Sequence, residues 1–79
     1  MAKSASKKVH HRHLLGLALR RRRQELGWSQ ERLAEFADVH RNFVGLVERG
    51  EQNVSIDSLV RFATALRTSL AHIFEDAGL

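Results

Sequence analysis

Apolar residues recur at helical spacing in five successive segments of this chain. In the first, from about His13 to Leu26, the residues Leu15, Leu19 and Leu26 fall inward, and Gly27 follows as a residue able to form a left-handed cap. Trp28 joins that apolar side just beyond the cap. Ser29 is the candidate N-cap of the second segment, with Gln30 and Glu31 in its first turn and Leu33, Ala34 and Ala37 on a narrow apolar face. The third, from His40 to Arg49, turns Val44 and Val47 inward and leaves Arg41, Asn42, Gly45 and Leu46 on other faces, with His40 as its cap. A fourth begins near Ser55, with Asp57 in the first turn, and carries Ile56, Leu59, Val60, Phe62, Ala63 and Leu66; the fifth begins near Ser69 and carries Leu70, Ile73 and Phe74. The pattern predicts an all-α fold, a compact five-helix bundle in which the last two helices supply most of the core on one side.

The second and third segments are joined by a break of only a few residues, so that Ser29 to Gly50 holds two short helices. Small alanines beside Leu33 let these helices cross at close range. Two short helices meeting at a tight bend form the arrangement that lays the second one in the DNA major groove. The leading residues of such a helix reach base edges, and the planar fork of Arg41 matches guanine O6 and N7. Asn42 suits an adenine edge or a phosphate. Phe43 has no hydroxyl and either touches a thymine methyl group or turns inward, while Leu46 offers apolar contact and Gly45 lets the helix lie close to the groove. Ser29 and Gln30 stand where the positive end of the second helix meets a phosphate. His40, Arg49, Gln52 and Asn53 are further phosphate candidates, although the loop residues serve equally well as local caps.

Particular motifs carry a family resemblance. Gln30, Leu33 and Ala34 fit Q-x-x-L-A, Val39 is the apolar residue after the turn, and Glu48, Arg49 and Gly50 fit the closing E-x-G. Leu15, Gly16 and Arg23 match the opening helix, and Leu59, Ala63 and Leu66 the later L-x-x-x-A-x-x-L. From Leu15 to Phe74 the chain resembles the Cro and phage-repressor type of helix-turn-helix regulator, and HRNFVGLVERGEQNVSIDSL is most similar to the controller proteins of restriction-modification systems. The resemblance implies a structural ion pair between Arg23 and Glu48. It also implies a twofold contact through the last helix, for which Val60, Ile73, Phe74 and Leu79 are surplus to one small core. Asp38 replaces the glycine usual at the turn, and aspartate enters the left-handed region at modest cost. Arg67 and Thr68 replace a usual glycine and valine, which predicts a local adjustment at that corner. The implied function is a homodimeric, sequence-specific transcriptional regulator on a two-half-site operator, with double-stranded DNA and RNA polymerase as partners. An antitoxin-type autorepressor that also binds a toxin protein, a phage-type repressor and a protein-binding module are the alternatives.

Composition narrows this further. A chain of 79 residues makes one domain with a small core, to whose stability a dimer contact would add. Without cysteine there is no disulfide or thiolate metal site. The net charge of +4 divides unevenly: residues 1–23 hold eight lysines and arginines and no acids, whereas the remainder holds five arginines against nine acids. Residues 1–12 read as a basic, disordered arm, either a solvated leader or a DNA-touching segment, and residues 13–79 as the helix-turn-helix domain. His10, His11 and His13 in such an arm lack fixed geometry, so no metal is expected. Nothing reads as a phosphate loop, a catalytic carboxylate pair or a cofactor site, so neither enzyme activity nor a cofactor is expected. No apolar run approaches the roughly 18 residues of a membrane span, and the N-terminus lacks a signal peptide's apolar stretch, so the expectation is a cytoplasmic protein with no membrane partner.

Overall fold

The computed structural model describes residues 10–79 and contains five helices: α1 (His10–Glu25), α2 (Gln30–Ala37), α3 (Arg41–Glu48), α4 (Ile56–Ala65) and α5 (Leu70–Ala77). Four of them start where the sequence places a cap. Ser29, Ser55 and Ser69 each accept the backbone N–H three residues on, and His40 accepts the N–H of Asn42 through Nδ1 at 3.2 Å. The exception is α1, which starts three residues earlier than its apolar pattern suggests. His10, His11 and Arg12, assigned to the arm by their charge, form its first turn; the rest of that arm, residues 1–9, lies outside the described residues.

A tertiary contact reaches the first turn of this helix. Gly50, just past the end of α3 at φ +73°, lies so close to α1 that a Cβ there would stand 2.8 Å from His13 Cα and 3.3 Å from the Arg12 carbonyl carbon. One turn on, Gly16 lets the α1 backbone press against the end of α3, where an added Cβ would collide with the carbonyl oxygens of Val47 and Glu48. Bare backbone on both sides brings α1 and α3 together.

Around this crossing α1 packs on α3 and α5, α2 on α3 and α4, and α4 on α5. Leu19, Leu33, Val44, Phe62 and Leu66 are sealed in the centre, each contributing about 1.5 to 3 kcal/mol by leaving water. Both unusual turn residues take the left-handed conformation, Asp38 at φ 57° and Arg67 at φ 59°, and the corner after α4 closes through Arg67 N–H to Thr64 O and Thr68 N–H to Ala63 O. Two expectations about the core are corrected. Ile73, expected at a dimer contact, is only 2% exposed and belongs to the protomer's own core, because α5 turns it towards α1 and α4. Ile56, counted with the core of α4, is exposed at the first position of that helix. Val60 at 46% and Leu79 at 58% exposure stand free, and Phe74 is half-buried against the core.

The arginine run of α1 is shared among several helix ends. Arg22 donates through Nε to Leu66 O at 2.9 Å and through Nη2 to Arg67 O at 3.2 Å, capping α4, while Arg21 donates to Asp76 O at 3.1 Å near the end of α5. Arg23 goes to α3. Successive residues on a helix point 100° apart, so one basic run reaches three partners.

Candidate nucleic-acid interface

The position of α3 is set by a buried network at its base. Arg23 Nε and Nη2 donate to Glu48 Oε2 and Oε1 at 2.6 and 3.0 Å, and its Nη1 donates to Trp28 O at 2.8 Å. Gln30 Nε2 adds a bond to Glu48 Oε1 at 3.0 Å, so the carboxylate at the end of α3 is held by α1 and α2 together. A bidentate, satisfied pair of this kind is geometrically specific. Losing one partner strands the other charge in the interior at a cost of about 3 to 5 kcal/mol. The Arg23–Glu48 pair stands as the family motif implied. The Gln30 link has no signature in periodicity, because it is a bond across eighteen residues between two helix ends.

Above this base the outer side of α3 is open. Gln30, Arg41, Asn42, Gly45, Leu46 and Arg49 line one shallow groove of about 340 Å³ with a mainly polar surface. All six were named from the sequence as DNA-facing. Arg41 and Asn42 are exposed at the leading end of the helix, and Arg41 Nη1 lies 3.8 Å from Glu31 Oε2 in a solvent-exposed pair that a stronger acceptor can displace. Arg49 Nε lies 3.2 Å from Glu51 Oε1, which turns that acid onto its neighbour.

The other named residues do not share the groove. Phe43 takes the inward orientation: it is half-buried and stacks on Phe62, with ring centroids 6.0 Å apart and planes at 12°. The driving force is the apolar surface of Phe62, which a ring without a hydroxyl covers at no polar cost. Ser29 Oγ accepts from Arg32 N–H at 3.0 Å and the His40 imidazole caps α3, so both have local partners. Gln52 and Asn53 are exposed on the loop after α3, beside a second, more apolar cavity whose lining includes Arg12, Phe74 and Leu79. Among the described residues, no helix is long and apolar enough to cross a membrane.

With this geometry in view, the likeness to known proteins is informative. The helix-turn-helix family model matches residues 19–73. Control protein C.SmaI of Serratia marcescens is 45% identical over 51 residues, covering 65% of this chain and 61% of that protein. The chain spans less than two thirds of the length of the curated relatives it matches. Among solved structures, the restriction-modification controller protein C.AhdI from Aeromonas hydrophila is 40% identical, with a TM-score of 0.79 over 80% of this chain and 96% of that one. Restriction-modification controller protein C.Esp1396I, solved as a tetramer in complex with its natural 35 base-pair operator, is 27% identical, with a TM-score of 0.79 over 85% of this chain and 88% of that one.

Proposed function

The chain belongs to the helix-turn-helix family, and from that membership we propose that it is a sequence-specific DNA-binding regulator of transcription, acting as a homodimer on an operator with two half-sites. The observation that carries the reading is the groove on α3: two arginines and two amides converge on the exposed side of a helix whose base is fixed by the Arg23–Glu48–Gln30 network. A rigid helix with polar groups at its leading end presents hydrogen-bond donors to base edges without a large ordering cost. Two copies would set their α3 helices about 34 Å apart, in successive major grooves on one face of the duplex. Arg41 and Asn42 act as base readers, and Leu46 contacts a methyl group. Gln30, with the N-terminal end of α2 behind it, positions a phosphate.

The favoured biological role is control of a restriction-modification operon, since control proteins of such systems are similar both in sequence and in structure. Working beside its template in the cytoplasm, the protein would block or recruit RNA polymerase at a promoter. A binding selection from random duplexes tests the reading, run on the wild type, Arg41→Ala and Gln30→Ala. The wild type should enrich one sequence, Arg41→Ala should lose preference at one or two base pairs, and Gln30→Ala should weaken all duplexes alike. A wild type that enriches nothing over competitor DNA would defeat the proposal.

A further inference from the structure

Arg41, Gly45 and Arg49 stand four residues apart and therefore share one stripe of the helix, with a guanidinium group at either end and between them the backbone of Gly45, buried under the Arg49 and Gln30 side chains. Glycine inside a helix costs about 1 kcal/mol relative to alanine, which calls for a reason. Backbone conformation supplies none, because Gly45 is absent from the residues of positive φ. Packing supplies none either. The nearest atoms to a Cβ at Gly45 would be Arg49 Nη1 at 3.2 Å and the Gln30 amide at 3.6 and 3.8 Å, and the tightest of these is the tip of a flexible side chain. Gly16, whose Cβ would strike carbonyl oxygens, shows by contrast what a packing requirement looks like.

What the missing side chain does is let Arg49 lie close, since an added Cβ 3.2 Å from its Nη1 would oblige that group to give by a few tenths of an ångström. Helical side chains lean towards the N-terminus, and Arg49 follows that direction, lying back over Gly45 while Glu51 Oε1 holds its Nε at 3.2 Å. Along the helix axis the two arginines start about 12 Å apart at 1.5 Å per residue. Lying back closes part of that gap and places Arg49 in the groove with Arg41, Asn42 and Gln30.

We propose that Arg49, admitted by the bare backbone of Gly45, is a second base-reading arginine whose fork is directed at a guanine edge close to the one read by Arg41, and that Gly45 sets this specificity by the side chain it lacks. This replaces the phosphate contact expected from the position of Arg49 at the end of α3, and it rests on the DNA-reading role of the groove proposed above. Guanine O6 and N7 form the acceptor pair that an arginine fork matches with two parallel bonds.

The test is a binding selection on the wild type, Arg41→Ala, Arg49→Ala, Gly45→Ala and the double variant Gly45→Ala/Arg49→Ala, with thermal unfolding of each. Arg49→Ala should lose roughly 10-fold to 100-fold discrimination at one or two base pairs, distinct from those lost in Arg41→Ala. Gly45→Ala should blur the same pairs as Arg49→Ala while its unfolding midpoint rises, since alanine is the better helix former. The double variant should discriminate no worse than Arg49→Ala alone. A uniform loss across all duplexes in Arg49→Ala, with the slope of binding against log salt reduced by about one, marks a phosphate contact and overturns the inference while leaving the regulator reading intact. Absence of any preference in the wild type defeats that reading, and this inference with it.

Discussion

At the scale of single residues, the glycines and the buried ion pair make opposite demands on the same short helix. Gly16 faces backbone oxygens that cannot withdraw, so Gly16→Ala should destabilise the protein by about 1 to 3 kcal/mol through overpacking, read as a lower urea midpoint. Arg23→Met leaves the Glu48 carboxylate buried without its main partner and should cost about 3 to 5 kcal/mol in the same measurement. Arg41→Ala, on the exposed side of α3, should stay within about 0.5 kcal/mol of the wild type. Ordering these three variants by midpoint therefore separates the residues that hold α3 from one that works on its surface. The ion pair was legible because its two positions fall on family motifs. The distances that make Gly16 necessary were not, since a close approach of two backbones leaves no mark except the glycine itself.

At the scale of elements, four of the five helices start on a local cap, whereas the first turn of α1 packs against a distant residue. Ser55→Ala and Ser69→Ala each remove an acceptor for a first-turn N–H, and each should cost about 1 kcal/mol in thermal or urea unfolding. Arg67 closes α4 in a left-handed conformation that strains a residue with a Cβ. Arg67→Gly should therefore raise stability by about 0.5 to 1 kcal/mol after the added freedom of the unfolded chain is counted, while the Arg22 caps, made to backbone oxygens, persist. Serine caps are readable in sequence because donor and acceptor lie three residues apart. The start of α1 has no such local signal, and its first turn packs against Gly50, some forty residues away.

At the scale of the whole molecule, the large apolar side chains left in the open among the described residues are four, Phe36 on α2 and three towards the other end of the chain. Ile56 and Val60 lie four residues apart on α4, and Leu79 closes the chain; all three are exposed in the protomer. If the regulator pairs through this region, Val60→Glu and Leu79→Glu should shift sedimentation towards the monomer while keeping the helical circular-dichroism signal. Ile73→Ala should instead cost about 2 to 5 kcal/mol of stability, as a truncation inside the core. Weaker unfolding without dissociation in the glutamate variants would move the dimer contact elsewhere.

The sequence by itself determined five helices, the caps that begin four of them, the bend between α2 and α3 and the polar residues that face outward from α3. All of these depend on neighbours within a turn or two, where helical periodicity and capping chemistry act. Only the tertiary structure decided that Ile73 is core, that Phe43 stacks on Phe62, that Arg21, Arg22 and Arg23 go to different helix ends and that Arg49 lies over Gly45. Each of these turns on which surfaces meet across the fold. An apolar or cationic side chain carries no record of its partner until the helices are packed.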